Sequence, residues 1–82
     1  MLSEYIRAAM GKAHYELIDD EEPYYGEIPP CQGVWATGKS LEACRHNLED
    51  ALEDWLVFSL ANNLPVPPIG RVRIKVPQKI TV

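Results

Sequence analysis

Four kinds of side chain in this sequence could do chemistry: the hydroxyl of Ser40, the imidazoles of His14 and His46, the thiols of Cys31 and Cys44, and the carboxylates of Asp19 to Glu22 with Glu49 and Asp50. A nucleophilic serine on a strand-to-helix turn needs flanking glycines and a base. Ser40 lacks those glycines and stands where a helix cap is expected. The two histidines have no spacing to each other or to a cysteine that suggests a metal site. His46 follows Glu42 by one helical turn, so a surface pair between them is expected. Two cysteines without a Cys/His cluster read as small buried hydrophobes rather than ligands or a disulfide. The glycines at 26, 33 and 38 do not form a phosphate-binding loop that opens a helix. A nuclease-type Mg²⁺ site would need the acidic turn, Glu49 and Asp50 to converge from different elements, an arrangement that a sequence alone leaves open. Neither catalysis nor a cofactor is expected.

The element that must position these groups is the stretch from Ser40 to Asn63, the longest periodic segment of the chain. Ser40 suits an N-cap and Glu42 the first turn, and Asn62-Asn63 followed by Pro65 supplies a stop. At 100° per residue, Leu41, Cys44, Leu48, Ala51, Leu52 and Trp55 fall within a stripe roughly 100° wide, the expected core face. Two features lie off that stripe. Val57, Phe58 and Leu60 sit in a C-terminal half that should overhang any short sheet, and call for a second cover from the N-terminus or another protomer. Glu42, Glu49 and Glu53 share one flank with Asp50 and Asp54 beside them. The i,i+4 pairs Glu49 with Glu53 and Asp50 with Asp54 are mutually repulsive. Such a flank is either simply solvated or waits for a basic partner.

Upstream, LSEYIRAAM places Leu2, Tyr5, Ile6, Ala9 and Met10 at helical spacing, with Ser3 as a cap and Gly11 as a terminator. So short a helix must dock on something, and Ile6 and Met10 join Val57, Phe58 and Leu60 as expected oligomer contacts. His14 to Ile18 reads as a strand with Tyr15 and Leu17 on one face. A charged turn, Asp19 to Pro23, leads to a second strand, Tyr24 to Ile28, in which Gly26 allows close approach. Pro29-Pro30 ends it, a turn follows at Cys31 to Gly33, and Val34 to Thr37 makes a third strand closed by Gly38. Strands so closely spaced favour antiparallel pairing. Beyond the long helix, Pro65 to Gly70 is a stiff connector. Arg71 to Val76 then alternates Val72, Ile74 and Val76 against Arg71, Arg73 and Lys75. That pattern reads as an edge strand whose basic side chains guard against aggregation or meet an acidic partner or nucleic acid.

With 82 residues the chain is one domain, 1–82, small enough that association would help its core. No apolar run approaches a membrane span, and Glu4 and Arg7 interrupt any signal-peptide pattern, which places the chain in the cytoplasm. Charge is unevenly distributed: residues 1–70 hold all twelve acids against four bases, a formal −8, and residues 71–82 hold four bases and no acid, +4. The body should repel nucleic acid, and binding by the tail is expected to be weak or nil.

The run Tyr24-Tyr25-Gly26-Glu27-Ile28-Pro29, then Gly33 to Gly38, then Ser40-Leu41-Glu42-Ala43 and Asn47-Leu48, resembles the HicB family of antitoxins. The likeness continues through Glu53-Asp54-Trp55 and Leu64-Pro65 and covers residues 13–68, leaving 1–11 as an extra helix and 71–82 as a basic strand and tail. The resemblance implies a short antiparallel sheet of three strands, one long helix and a further strand, a reduced RNase H-like domain without catalytic activity. It also implies a partner, a small basic HicA-like RNA-cleaving toxin whose active site the antitoxin masks. Many relatives continue into a helix-turn-helix or ribbon-helix-helix domain. Here only the basic strand and QKITV follow, so autorepression by this chain alone is not expected. Where the family often has Glu, this chain has Ala43, which removes a capping box but keeps the cap.

The expectation is therefore an α+β domain, helix-strand-strand-strand-helix-strand, that forms a homodimer or a higher even oligomer. Its partner surface is expected at Glu42, Glu49, Asp50, Glu53 and Asp54. A stand-alone small-ligand or regulatory module on the same fold, and a metal-dependent nuclease, are the alternatives.

Overall fold

A computed structural model describes residues 2–72. The order is α1 (Leu2–Met10), β1 (His14–Leu17), β2 (Tyr24–Glu27), β3 (Trp35–Gly38) and α2 (Leu41–Ala61), an α+β fold in which the three strands form one antiparallel sheet, β1-β2-β3. Each element falls within a residue or two of its expected place. The basic strand expected at 71–76 lies outside the described residues beyond Val72; Ile69 and Val72 form an isolated bridge, each amide donating to the other's carbonyl at 2.8 Å.

The ends of α2 follow from local chemistry. Ser40 adopts an extended backbone and its Oγ accepts the Ala43 amide at 3.0 Å, satisfying one of the donors that a helix start leaves free. At the other end Asn63 takes φ +55°, the Leu64 amide donates to Ser59 O at 2.8 Å and the Asn63 amide to Leu60 O at 3.3 Å. Those two bonds make a Schellman closure with asparagine in the position glycine more often holds.

Register assigns the faces. Tyr15 stands opposite Gly26 and Gly26 opposite Ala36; Leu17 stands opposite Tyr24 and Tyr24 opposite Gly38. These residues share the face on which α2 packs, but Leu17, on the edge strand β1, extends past the helix and stays exposed. The absence of side chains at positions 26 and 38 lets the helix sit low. A Cβ at Gly26 would stand 2.9 Å from the Tyr15 ring and 3.2 Å from Cys44 Sγ, so ring and thiol occupy the space a side chain would need. Asn47 Nδ2 donates to Thr37 O at 2.9 Å and ties the helix to β3.

Helix α2, about 31 Å long at 1.5 Å per residue, far exceeds four-residue strands of about 13 Å. Its overhanging C-terminal half is covered from within the chain: α1 packs on α2, with Tyr5 and Ala9 fully buried among Leu48, Leu52, Leu56, Ile28, Cys31, Val34 and Ile69. The Tyr5 hydroxyl donates to Pro67 O and lies 3.6 Å from Cys31 Sγ, so one phenol joins α1, the β2–β3 turn and the connector.

The core face of α2 departs from expectation at both ends. Leu41, expected on the core face, is half exposed and faces the open groove that it lines with Ile6, Met10 and Tyr15. Leu56 and Ser59, absent from the expected core face, are buried. No helix among the described residues is long and apolar enough to cross a membrane.

Candidate partner-binding surface

The chemistry-bearing side chains do not assemble into a catalytic group. Ser40 is occupied as the cap of α2. His46 pairs with Asp50 at 3.6 Å rather than with Glu42, correcting the expected pairing; Glu42 instead borders a groove on the next flank of the helix. Cys31 and Cys44 are free and buried, and burial raises both thiols above their ordinary range; Cys44 Sγ donates to Ala36 O at 3.6 Å. Among the described residues no three His, Cys, Asp or Glu side chains converge as metal ligands would.

What the fold does present is three exposed surfaces. The first is an open groove of about 1150 Å³ between α1, β1 and α2. Ile6, Met10, Leu41 and Tyr15 make its apolar floor, and Glu42, Glu49 and Glu53 form a row along its α2 side, with Arg7 and Arg45 set among them. Of the five acids expected to act together, only these three border the groove. Asp50 and Asp54 are exposed on the next flank of α2. Ile6 and Met10, expected as oligomer contacts, are half-buried in the same groove against their own chain's core.

The second surface is the outward ridge of α2's last turns. Val57 and Phe58 are 63% and 60% exposed, a high value for such side chains in a small domain, whereas Leu60 is partly covered. Val57 and Phe58 diverge by about 100° around the helix axis, so they belong to one surface only if a partner wraps the end of the helix.

The third surface is the sheet face turned away from α2, made by His14, Glu16, Tyr25, Glu27, Trp35 and Thr37. Here Tyr25 and Trp35, diagonal neighbours on adjacent strands, stack with ring centroids 6.1 Å apart and planes 25° from parallel. Tyr25 donates to Glu27 Oε1 at 3.2 Å. Burial first, then the Glu27 and Glu16 carboxylates, raise the phenol above its ordinary value. Thr37 Oγ1 donates to Glu22 Oε1 at 2.6 Å, which fastens the acidic turn to the same face. This surface was missed in the sequence, although the period-2 reading of Tyr24 to Ile28 places Tyr25 on the side opposite Gly26.

Comparison with known proteins gives the chain's relationships. Residues 4–67 match the family model described as UPF0150-like. The fold is similar to the crystal structure of TTHA0281 from Thermus thermophilus, with 60% sequence identity and a TM-score of 0.90, over 94% of this chain and 95% of that one. No curated protein matches the chain.

Proposed function

This chain belongs to the UPF0150-like family, and we propose that it is an antitoxin-like protein-binding module of the HicB type, which binds and neutralises a small basic RNA-cleaving toxin of the HicA type. The observation that carries the reading is the row Glu42, Glu49 and Glu53 along an exposed flank of α2, next to an apolar groove. An RNA-cleaving protein must hold positive charge where phosphates lie, and a row of carboxylates beside apolar surface is complementary to it. The apolar floor at Ile6, Met10 and Leu41 would supply desolvated contact, and the carboxylates would set orientation and encounter rate. Like-charged neighbours along α2 oppose each other in the free chain, so a cationic partner relieves a small cost that folding alone leaves in place.

The test is co-expression with a HicA-type toxin, followed by purification of the complex and an RNA-cleavage assay. A stable complex with cleavage suppressed at equimolar ratio is expected. Free toxin that cleaves at its full rate in the presence of excess chain rejects the reading.

The groove also favours a second reading, a stand-alone module that holds a small ligand against Ile6, Met10, Tyr15 and Leu41. Mass spectrometry of the purified chain under native conditions separates the two, since a resident ligand adds its mass.

A further inference from the structure

The sheet face opposite α2 carries an exposed aromatic stack inside a ring of carboxylates. Trp35 is 56% exposed in a chain whose other tryptophan, Trp55, is packed against the core. Its neighbour Tyr25 backs it with ring centroids 6.1 Å apart and planes 25° from parallel. Glu27 stands opposite Trp35 in the register, Glu16 opposite Tyr25, and Glu22 is fixed at the edge by Thr37. The six strand positions of this face hold no lysine or arginine. Beside the stack a hollow of about 190 Å³ opens between Trp35, Tyr25, Glu27, Pro29 and Gln32.

We propose that this face is a second docking surface, and that its occupant is an arginine-bearing segment of a basic protein, one guanidinium lying over Trp35 with Glu27 beside it. Three observations select that occupant. The charged side chains of the face are acidic, so it favours a cation. Its centre is an exposed aromatic plane, which a flat, weakly hydrated guanidinium covers better than a compact ammonium does. The hollow leaves room for a planar head group at the level of the Glu27 carboxylate, where a guanidinium can donate to carboxylate oxygen and stack on indole at once. Glu27 accepts from Tyr25 through Oε1, and a carboxylate carries a second oxygen that can receive a further donor. This surface lies across the sheet from the α2 groove, so the inference stands independently of which partner the groove meets.

The test uses the full chain and two peptides, octa-arginine and octa-lysine, with Trp55→Phe as background so that fluorescence reports Trp35. Octa-arginine should quench Trp35 and bind about two- to fivefold tighter than octa-lysine. Replacing Trp35 by alanine should abolish that preference, read by calorimetry, and Glu27→Gln should weaken octa-arginine more than octa-lysine. Circular dichroism confirms folding, since Trp35 faces outward. Equal affinity for the two peptides, unchanged by Trp35→Ala, overturns the proposal, because acidity alone then accounts for binding. A drop in oligomeric state on Trp35→Ala also overturns it, by showing that a second copy of the chain covers the stack. If the arginine preference is absent while toxin capture is intact, only this inference fails; the reverse result rejects only the toxin reading.

Discussion

Gly38 lies directly against the backbone of α2 at Cys44: a Cβ at position 38 would stand 2.7 Å from the Cys44 Cα and 2.9 Å from the Ala43 carbonyl carbon. The obstructing atoms belong to a helix backbone that is itself held by the Ser40 cap and by Asn47 on β3. They cannot swing aside as the end of a side chain would. Gly38→Ala is therefore expected to destabilise the fold by about 1–3 kcal/mol through forced displacement of α2. Urea denaturation followed by circular dichroism reads the change. A midpoint equal to that of the unsubstituted chain would show that the helix shifts freely.

The Tyr5 hydroxyl is a polar group at the edge of a largely apolar core and serves the Pro67 carbonyl. Tyr5→Phe keeps the ring and leaves that carbonyl without its donor, so a loss of about 1–2 kcal/mol is expected. Tyr5→Leu should cost more, because it adds a packing defect to the missing bond.

Alkaline pH should weaken the fold, and the sign follows from the buried acids. Burial raises the Tyr5 phenol, and the Cys31 thiol beside it raises it further; the Cys31 and Cys44 thiols are raised chiefly by burial. In each case the unfolded chain loses its proton at a lower pH than the folded one. The stability these groups contribute is thus fully present below their ordinary values, 9.0 for the thiols and 10.0 for the phenol, and is lost as pH climbs through the folded values. Denaturation midpoints should be level up to about pH 8.5 and then fall. Tyr5→Phe, although less stable at neutral pH, should show a shallower fall above about pH 10. If its slope there matches that of the unsubstituted chain, Tyr5 is not among the groups responsible.

The two periodicities of the chain made the elements legible. Period 3.6 in LSEYIRAAM and LEACRHNLEDALEDWL, and period 2 around Gly26, placed both helices and all three strands. Contacts that depend on how elements meet were not legible. The Tyr25–Trp35 stack requires the β2–β3 register, which pairs Glu27 with Trp35 and so sets Tyr25 diagonally across from it. Nothing in either strand alone carries that information. Leu41 was misplaced for a related reason: helical phase puts it on the core stripe, but the way α1, β1 and α2 meet leaves it facing an open groove. Likewise Glu42, Glu49 and Glu53 were separable from Asp50 and Asp54 by angle. Only the docking of α1 turned the first three into the wall of a groove.

Self-association is expected through the last turns of α2. Val57 and Phe58 remain exposed after α1 has covered the rest of the overhang, and each would release about 1.5–3 kcal/mol on full burial. A homodimer or higher even oligomer at tens of micromolar is the expected state, measured by light scattering. Phe58→Ser with Val57→Ser should dissociate it without unfolding the chain. A monomeric unsubstituted chain, or an oligomer indifferent to the double change, rules this contact out.

Charge reversal on α2 distinguishes the places where a basic toxin could dock. Glu49 and Glu53 are exposed on the groove side, so Glu49→Lys with Glu53→Lys should leave the fold intact, and each change adds charge where the toxin's own bases would approach. Electrostatic complementarity acts mainly on encounter, so association should slow severalfold and its dependence on salt should flatten, with a smaller effect on dissociation. Arg7 and Arg45 stand in the same groove and already offset part of its charge. Removing them, by Arg7→Gln with Arg45→Gln, should therefore speed association. Reversal of Asp50 and Asp54 is the matched control: it changes net charge by the same amount on the neighbouring flank. If both reversals slow association equally, the toxin senses only overall charge. If neither does, it docks away from this helix, and the sheet edge and the Asp19 to Glu22 turn become the surfaces to substitute. Only a larger effect from Glu49 and Glu53 than from Asp50 and Asp54, read by stopped-flow at two salt concentrations, assigns the groove.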